Sequence, residues 1–177
     1  MQPLETERLL LRQLRESDFD DFFEYAQDPL VAGPGLWEPY ESEAEAREDL
    51  RRLIGMYERG LLWWAMEHKT DGKLIGRCEL VNHNGHDARA EISYAMNRRY
   101  WGQGLMTEAA RCVMRHGFET MNLNRISAIA LPENQASVRI LQKLGMTREG
   151  CLRQSRRING VFRDIDLYAI LREEYVG

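Results

Sequence analysis

The 177-residue chain carries 24 Lys and Arg against 28 Asp and Glu, with 44% hydrophobic residues and three cysteines. That length favours one domain spanning 1–177, large enough to bury a core without disulfides or metal. No apolar run approaches the roughly 18 residues of a membrane span, and the N-terminus lacks signal-peptide features. Cys78, Cys112 and Cys151 are odd in number and form no CxxC pair, which points to a reducing, cytoplasmic setting.

The net charge of −4 conceals a division: residues 1–50 hold 14 acidic and 4 basic side chains, and the remainder 14 and 20. Such acids coat solvated helix faces, or they form one wall facing a cationic ligand while a basic region faces an anionic one. Composition alone leaves both open.

Arg8–Arg12 reads as an opening strand. Ser17-Asp18 caps a helix to about Gln27, closed by Asp28-Pro29. Ala32–Tyr40, with two Gly, two Pro and two aromatics, reads as a loop, and Ser42-Glu43-Ala44-Glu45 opens a helix to about Arg59 with Gly60 as C-cap. Leu61–His68 and Leu74–Asn82 are strands joined by Thr70-Asp71-Gly72; Asn84-Gly85 turns into a strand over Ala90–Met96. A helix runs from Leu105 to about Met121, a strand over Arg125–Leu131, and a helix from Pro132-Glu133-Asn134 to Leu144. Asn159-Gly160 joins the last strands, about Thr147–Arg157 and Phe162–Ile170. Runs of consecutive strands with interspersed helices specify a mixed sheet, an α+β or mixed α/β architecture.

Arg99-Tyr100-Trp101-Gly102-Gln103-Gly104 lies between a predicted strand and a predicted helix. Glycines there let successive N–H groups turn toward one point, and the helix dipole adds positive potential. Arg98 and Arg99 add full charges, so the segment suits a pyrophosphate. Neither a Walker A lysine nor a GxGxxG pattern accompanies it. An ordinary tight turn is the competing reading.

Arg99-x-x-Gly102-x-Gly104 resembles the signature of the GNAT superfamily of acyl-CoA-dependent N-acetyltransferases. The flanks are similar to its RimJ/RimL-like branch: Thr6–Arg12, Ala90-Glu91-Ile92-Ser93-Tyr94, Asn134-x-x-Ser137, Lys143-Leu144-Gly145-Met146, Glu149-Gly150 and the closing Asn159-Gly160 hairpin. The resemblance implies a mostly antiparallel sheet of about seven strands with a splayed central pair, flanked by about four helices. It implies acetyl-CoA as co-substrate, with no metal, and direct acyl transfer to a primary amine. Pantetheine would lie along Ala95 and Met96 like an added strand. Pyrophosphate would sit on Arg99, Gly102, Gln103, Gly104, Leu105 and Met106, with Asn134 and Ser137 contacting the pantetheine arm.

The chemistry needs a base for the ammonium, a donor for the developing oxyanion and help for the leaving thiolate. A backbone N–H near Met96 is the implied donor. Glu91, in an apolar strand, is the first candidate base, though it could instead be a structural partner of an arginine; Glu149 is the second, and could equally orient the acceptor or Arg153. Ser137 is the candidate for the leaving group, because the helix position where many relatives carry Tyr is Leu141. The alternative is an acyl-CoA-binding sensor or assembly module that turns nothing over.

Trp63-Trp64 and Phe22-Phe23 read as core, and His83-x-x-His86 as exposed loop. Trp37 and Tyr40 are placed to line an acceptor site, with Glu41, Glu43 and Glu45 favouring a cationic acceptor such as a polyamine or basic peptide N-terminus. Arg148, Arg153, Arg156, Arg157 and Arg163 lack the interleaved aromatics of a nucleic-acid surface, so neither nucleic acid nor membrane is an expected partner. The resemblance leaves room for a homodimer through the sheet edge of the last hairpin.

Overall fold

The computed structural model describes residues 1–34, 37–158 and 160–176. Its strands are β1 (Leu4–Glu5), β2 (Leu9–Arg12), β3 (Leu62–His68), β4 (Lys73–Asn84), β5 (Arg89–Met96), β6 (Arg125–Ala130), β7 (Thr147–Ile158) and β8 (Val161–Leu171). Its α-helices are α1 (Phe19–Ala26), α2 (Pro29–Ala32), α3 (Glu43–Met56), α4 (Leu105–Arg115) and α5 (Gln135–Lys143). The strands form one sheet in the order β1-β2-β3-β4-β5-β6-β8-β7. Among the pairings described, only β5–β6 is parallel. This is the expected mixed, mostly antiparallel sheet with flanking helices; among the described residues it has eight strands and five α-helices against about seven and about four. No helix among the described residues is long and apolar enough to cross a membrane.

The two extra elements are too short for periodicity to reveal. β1 is two residues pairing antiparallel with β2, Leu4 opposite Leu11. α2 starts where a stop was expected, because Asp28-Pro29 serves the next turn as N-cap and first residue, Asp28 Oδ1 accepting from Leu30 N at 2.9 Å. Ser42 caps α3 as read, its Oγ accepting from Glu45 N at 3.2 Å. The cap read at Ser17-Asp18 does not form. Asp18 instead accepts two bonds from the Arg12 guanidinium, both at 2.8 Å, and another from Arg15 N. A buried arginine outbids a helix terminus for that carboxylate. The helix expected to Met121 leaves α geometry at Arg115 and continues as a π-turn over His116–Thr120. Gly35 and Leu36 of the expected loop, and Asn159 of the last turn, lie outside the described residues; Gly160 has φ 77°, and Ile158 pairs with Val161.

The chain divides into two compact units, Met1–Glu79 with Tyr94–Ala109 and Leu80–Ser93 with Ala110–Gly177. In the first, α1 and α3 bury Phe19, Phe22, Tyr25, Ala46 and Leu50 against Trp63, Leu74 and Ala95 of the sheet. Adjacent Trp63 and Trp64 project to opposite faces of β3, as a two-residue period demands, and both are buried. In the second, β6 alternates strictly between buried and half-buried positions. Gly117 packs closely there: a Cβ would stand 2.9 Å from Ile126 Cδ1 and 3.2 Å from Leu123 Cδ1, so those side-chain ends would have to shift.

Candidate active site

In the first unit, the end of β5 runs into the signature loop. Asn97 N–H donates to Ile75 C=O on β4 at 2.7 Å. Strand groups alternate sides, so the N–H and C=O of Met96 point away from β4 and those of Ala95 toward it. The Trp101 indole donates to the Met96 carbonyl at 2.8 Å, leaving the Met96 N–H as the donor on that side. Trp101 had no role in the sequence reading beyond its place in the signature.

Asn97 then caps a 3₁₀ turn over Arg98–Tyr100, its Oδ1 accepting from Arg99 N at 3.0 Å. Gly102 and Gly104 follow with φ of 76° and 78°. Side chains disfavour that backbone, which lies just before α4 begins at Leu105. Gly102, Gln103 and Gly104 are exposed, and Leu105 and Met106 are buried. Arg98 pairs with Asp28 at 2.9 Å and the exposed Arg99 with Glu24 at 3.3 Å. The exposed loop before a helix N-terminus suits a diphosphate, which would compete with Asp28 and Glu24 for the two arginines.

The opening motif explains what holds this loop. Arg8 donates through Nη1 to Gln103 C=O at 2.9 Å and through Nε to Glu108 at 2.7 Å, and Thr6 Oγ1 donates to Glu108 at 2.6 Å. Thr6–Arg8 is thus a clamp on the first turn of α4.

The first unit also contains a cavity of about 560 Å³. Its apolar wall is Phe22, Tyr25, Trp37, Tyr40 and Trp63, and Phe22, Tyr25 and Trp63 belong to the same apolar group as Ala95 of β5. α3 contributes Glu45, Glu48, Asp49 and Arg52, which share one helix face by their spacing, and the loop adds Glu38. From β4 come Arg77 and Glu79, two residues apart on one face and joined in an ion pair. The Arg77 guanidinium lies 5.1 Å from the Trp37 ring centroid, and its burial depresses its pKa. Asp49 accepts from Tyr40 Oη at 2.6 Å and pairs with Arg52.

Trp37 and Tyr40 therefore line a cavity as expected, but the acidic wall differs from the one read. Glu45 belongs to it with Glu38, Glu48, Asp49 and Glu79, whereas Glu41 and Glu43 are not among the lining residues. Tyr25, Arg77 and Glu79 escaped the sequence reading. Opposite charges two apart inside the apolar run Leu74–Val81 were the visible signal.

In the second unit, Glu91 faces a smaller cavity of about 410 Å³ with Asn82, His83, Asn84, Arg89, Ala90 and Ser127. Here β5 and β6 pair over Arg89–Glu91 with Arg125–Ser127. Burial pushes the Glu91 carboxyl above the usual carboxylate range, opposed by a hydrogen bond from Asn82 and the charge of Arg156. Asn82 has φ 53°, the left-handed region that Asn tolerates, and this was not anticipated.

Glu149 is in a different situation. Arg125 holds it through both oxygens, at 2.7 and 2.5 Å, and these bonds depress its pKa, which makes it a poor proton acceptor. Asn134 caps α5, its Oδ1 accepting from Ser137 N at 3.1 Å, so the pair read as Asn134-x-x-Ser137 is a helix-start motif whatever else it contacts. Leu141, one turn beyond Ser137, is fully buried. His86 pairs with Asp87, and no group of three metal-ligating side chains occurs among the described residues.

The family model described as acetyltransferase (GNAT) domain matches residues 8–147. The chain is 32% identical to the uncharacterized N-acetyltransferase p20 of Bacillus licheniformis over the whole of both chains. It is 30% identical to the spermidine N(1)-acetyltransferase of Escherichia coli K12, covering 94% of this chain and 88% of that one. Among solved structures, a GNAT-family acetyltransferase from Bacillus anthracis superposes with a TM-score of 0.87 at 28% identity, covering 98% and 100% of the two chains.

Proposed function

Because the chain belongs to the GNAT acetyltransferases, we propose that it transfers an acetyl group from acetyl-CoA to the primary amine of a cationic acceptor, a polyamine, a basic peptide N-terminus or another small cationic amine. The observation that carries the acceptor side is the 560 Å³ cavity, whose aromatic wall shares its packing with Ala95 and whose lining has five carboxylates against two guanidiniums. Both guanidiniums are already paired with carboxylates of that lining, which leaves the balance negative. The similarity to a spermidine acetyltransferase supports the same class.

Each residue has a defined task in this reading. Arg99, Gly102, Gln103, Gly104, Leu105 and Met106 hold the diphosphate of the co-substrate, and Ala95, Met96, Asn134 and Ser137 border its pantetheine arm. The Met96 N–H donates to the thioester oxygen as charge builds there. Glu91 takes the proton of the ammonium through water, its raised pKa bringing it nearer the amine's own basicity. The nitrogen then bonds to the acyl carbon and the C–S bond breaks; the second proton on nitrogen passes to the departing thiolate, which Ser137 steadies by donating a hydrogen bond. Glu149 serves to orient Arg125.

Thiol release from acetyl-CoA by the purified protein, measured against spermidine and against basic and acidic N-terminal peptides, tests this. Release with the cationic acceptors is expected, with Trp37→Ala raising acceptor KM and leaving acetyl-CoA KM unchanged. Tight acetyl-CoA binding without release to any amine would favour the non-catalytic module.

A further inference from the structure

Acidity does not account for the inner wall of the acceptor cavity. Tyr25 is 2% exposed, and its hydroxyl has no hydrogen-bond partner. Leaving a buried hydroxyl unpaired is costly, so an orphan of this kind at a cavity wall marks a place where a ligand atom belongs. Arg77 and Glu79 stand at the same wall, and Glu79 is 7% exposed. A buried ion pair is costly to keep for stability alone. A guanidinium carries five N–H donors in a fixed fork, and the contact with Glu79 is made through Nη1. The Arg77 charge also acts on the Tyr25 hydroxyl. A neighbouring cation draws the phenol's lone pairs toward itself, and the O–H is then free to point away from it. The wall therefore holds two kinds of donor, guanidinium N–H groups and the buried, unpartnered Tyr25 O–H, beside one acceptor, the Glu79 carboxylate.

The complement of that pattern is an oxygen acceptor next to an N–H donor. We propose that Tyr25 and Arg77 are specificity-determining residues that bind a carbonyl or carboxylate oxygen one carbon removed from the acceptor's amine, while Glu79 accepts from the amine itself. The proposal rests on the reading of this cavity as the acceptor site. A plain alkylamine leaves the phenol unpaired and brings its ammonium against a guanidinium. An α-amino acyl group satisfies both ends, with Glu45 and Glu48 at the α3 wall left to receive any further positive charge.

The test uses a matched pair, leucinamide and 3-methylbutylamine, which share a side chain and differ by the carboxamide. Wild-type protein and Tyr25→Phe are assayed on both by thiol release, with rates expressed per free amine. Tyr25→Phe is expected to lower kcat/KM for leucinamide about tenfold more than for 3-methylbutylamine. The ratio of the two losses does not depend on the amines' different basicities. Independently of any variant, the wild type is expected to prefer leucinamide per free amine. Equal losses on both acceptors, or no wild-type preference, overturn the proposal while the cavity remains the acceptor site. Unchanged acceptor KM in both Tyr25→Phe and Trp37→Ala, with turnover intact, would instead show that acceptors bind elsewhere and remove the underlying reading.

Discussion

The Asn82–Glu91 pair makes the proton-transfer step open to a direct test. A base with a raised pKa is protonated, and inactive, at low pH, so kcat/KM should rise with pH through that raised value and level off above it. The Asn82 hydrogen bond favours the carboxylate form. Its removal in Asn82→Ala should push the Glu91 pKa further up and carry the rising limb to higher pH, with the plateau rate little changed. Glu91→Gln should abolish the limb with most of the turnover while acetyl-CoA affinity, read by calorimetry, stays within about twofold. An unmoved limb in Asn82→Ala would take Glu91 out of the role of base. Glu91 was legible in the chain because an acid inside an apolar strand is unusual. Asn82 was not, since its importance depends on a left-handed backbone in β4 and on which β5 residue lies across from it. Tyr25 was hidden for a related reason: an aromatic on an amphipathic helix reads as packing, and only the three-dimensional structure reveals that its hydroxyl is stranded.

Among the elements, the Thr6–Arg8 clamp carries the most consequence for the co-substrate. Arg8 ties the Gln103 carbonyl and the Glu108 carboxylate together, so Arg8→Ala frees a loop whose amides must converge to bind an anion. The expected result is a several-fold weaker Kd for CoA by calorimetry, with acceptor KM unaffected; equal weakening of both would mean general loosening instead. A second element-level prediction concerns β4 against β5. A Cβ on Gly76 would stand 2.3 Å from the Ala95 carbonyl, so Gly76→Ala should lower unfolding free energy by about 1–3 kcal/mol in urea titration. Most strand and helix positions were legible from periodicity and turn residues: apolar runs bounded by turns placed β3 to β5, and alternation placed β6, each within a residue or two. What periodicity could not supply was long-range competition. Asp18 looks like a cap until Arg12 claims it, and Thr6–Arg8 looks like strand punctuation until Glu108, 100 residues from Arg8, comes alongside.

At the scale of the molecule, the division of charge along the sequence has a counterpart in structure. Four of the five cavity carboxylates come from the acidic first 50 residues, and Glu79 is added from β4. Attraction through solvent over a Debye length of about 10 Å at 0.1 M salt should therefore contribute to acceptor capture. Raising NaCl from 50 to 500 mM is expected to raise KM more steeply for a dicationic acceptor than for a monocationic one; parallel curves would show that the carboxylates act only at contact. The same carboxylates bear on the other end of the catalytic cycle. In the proposed reaction acetylation turns one ammonium into a neutral amide, so the molecule that leaves carries one positive charge fewer than the one that was drawn in. If the cavity is the acceptor site, it should hold its product less tightly than its substrate, and accumulated amide should compete poorly with fresh amine as the reaction nears completion.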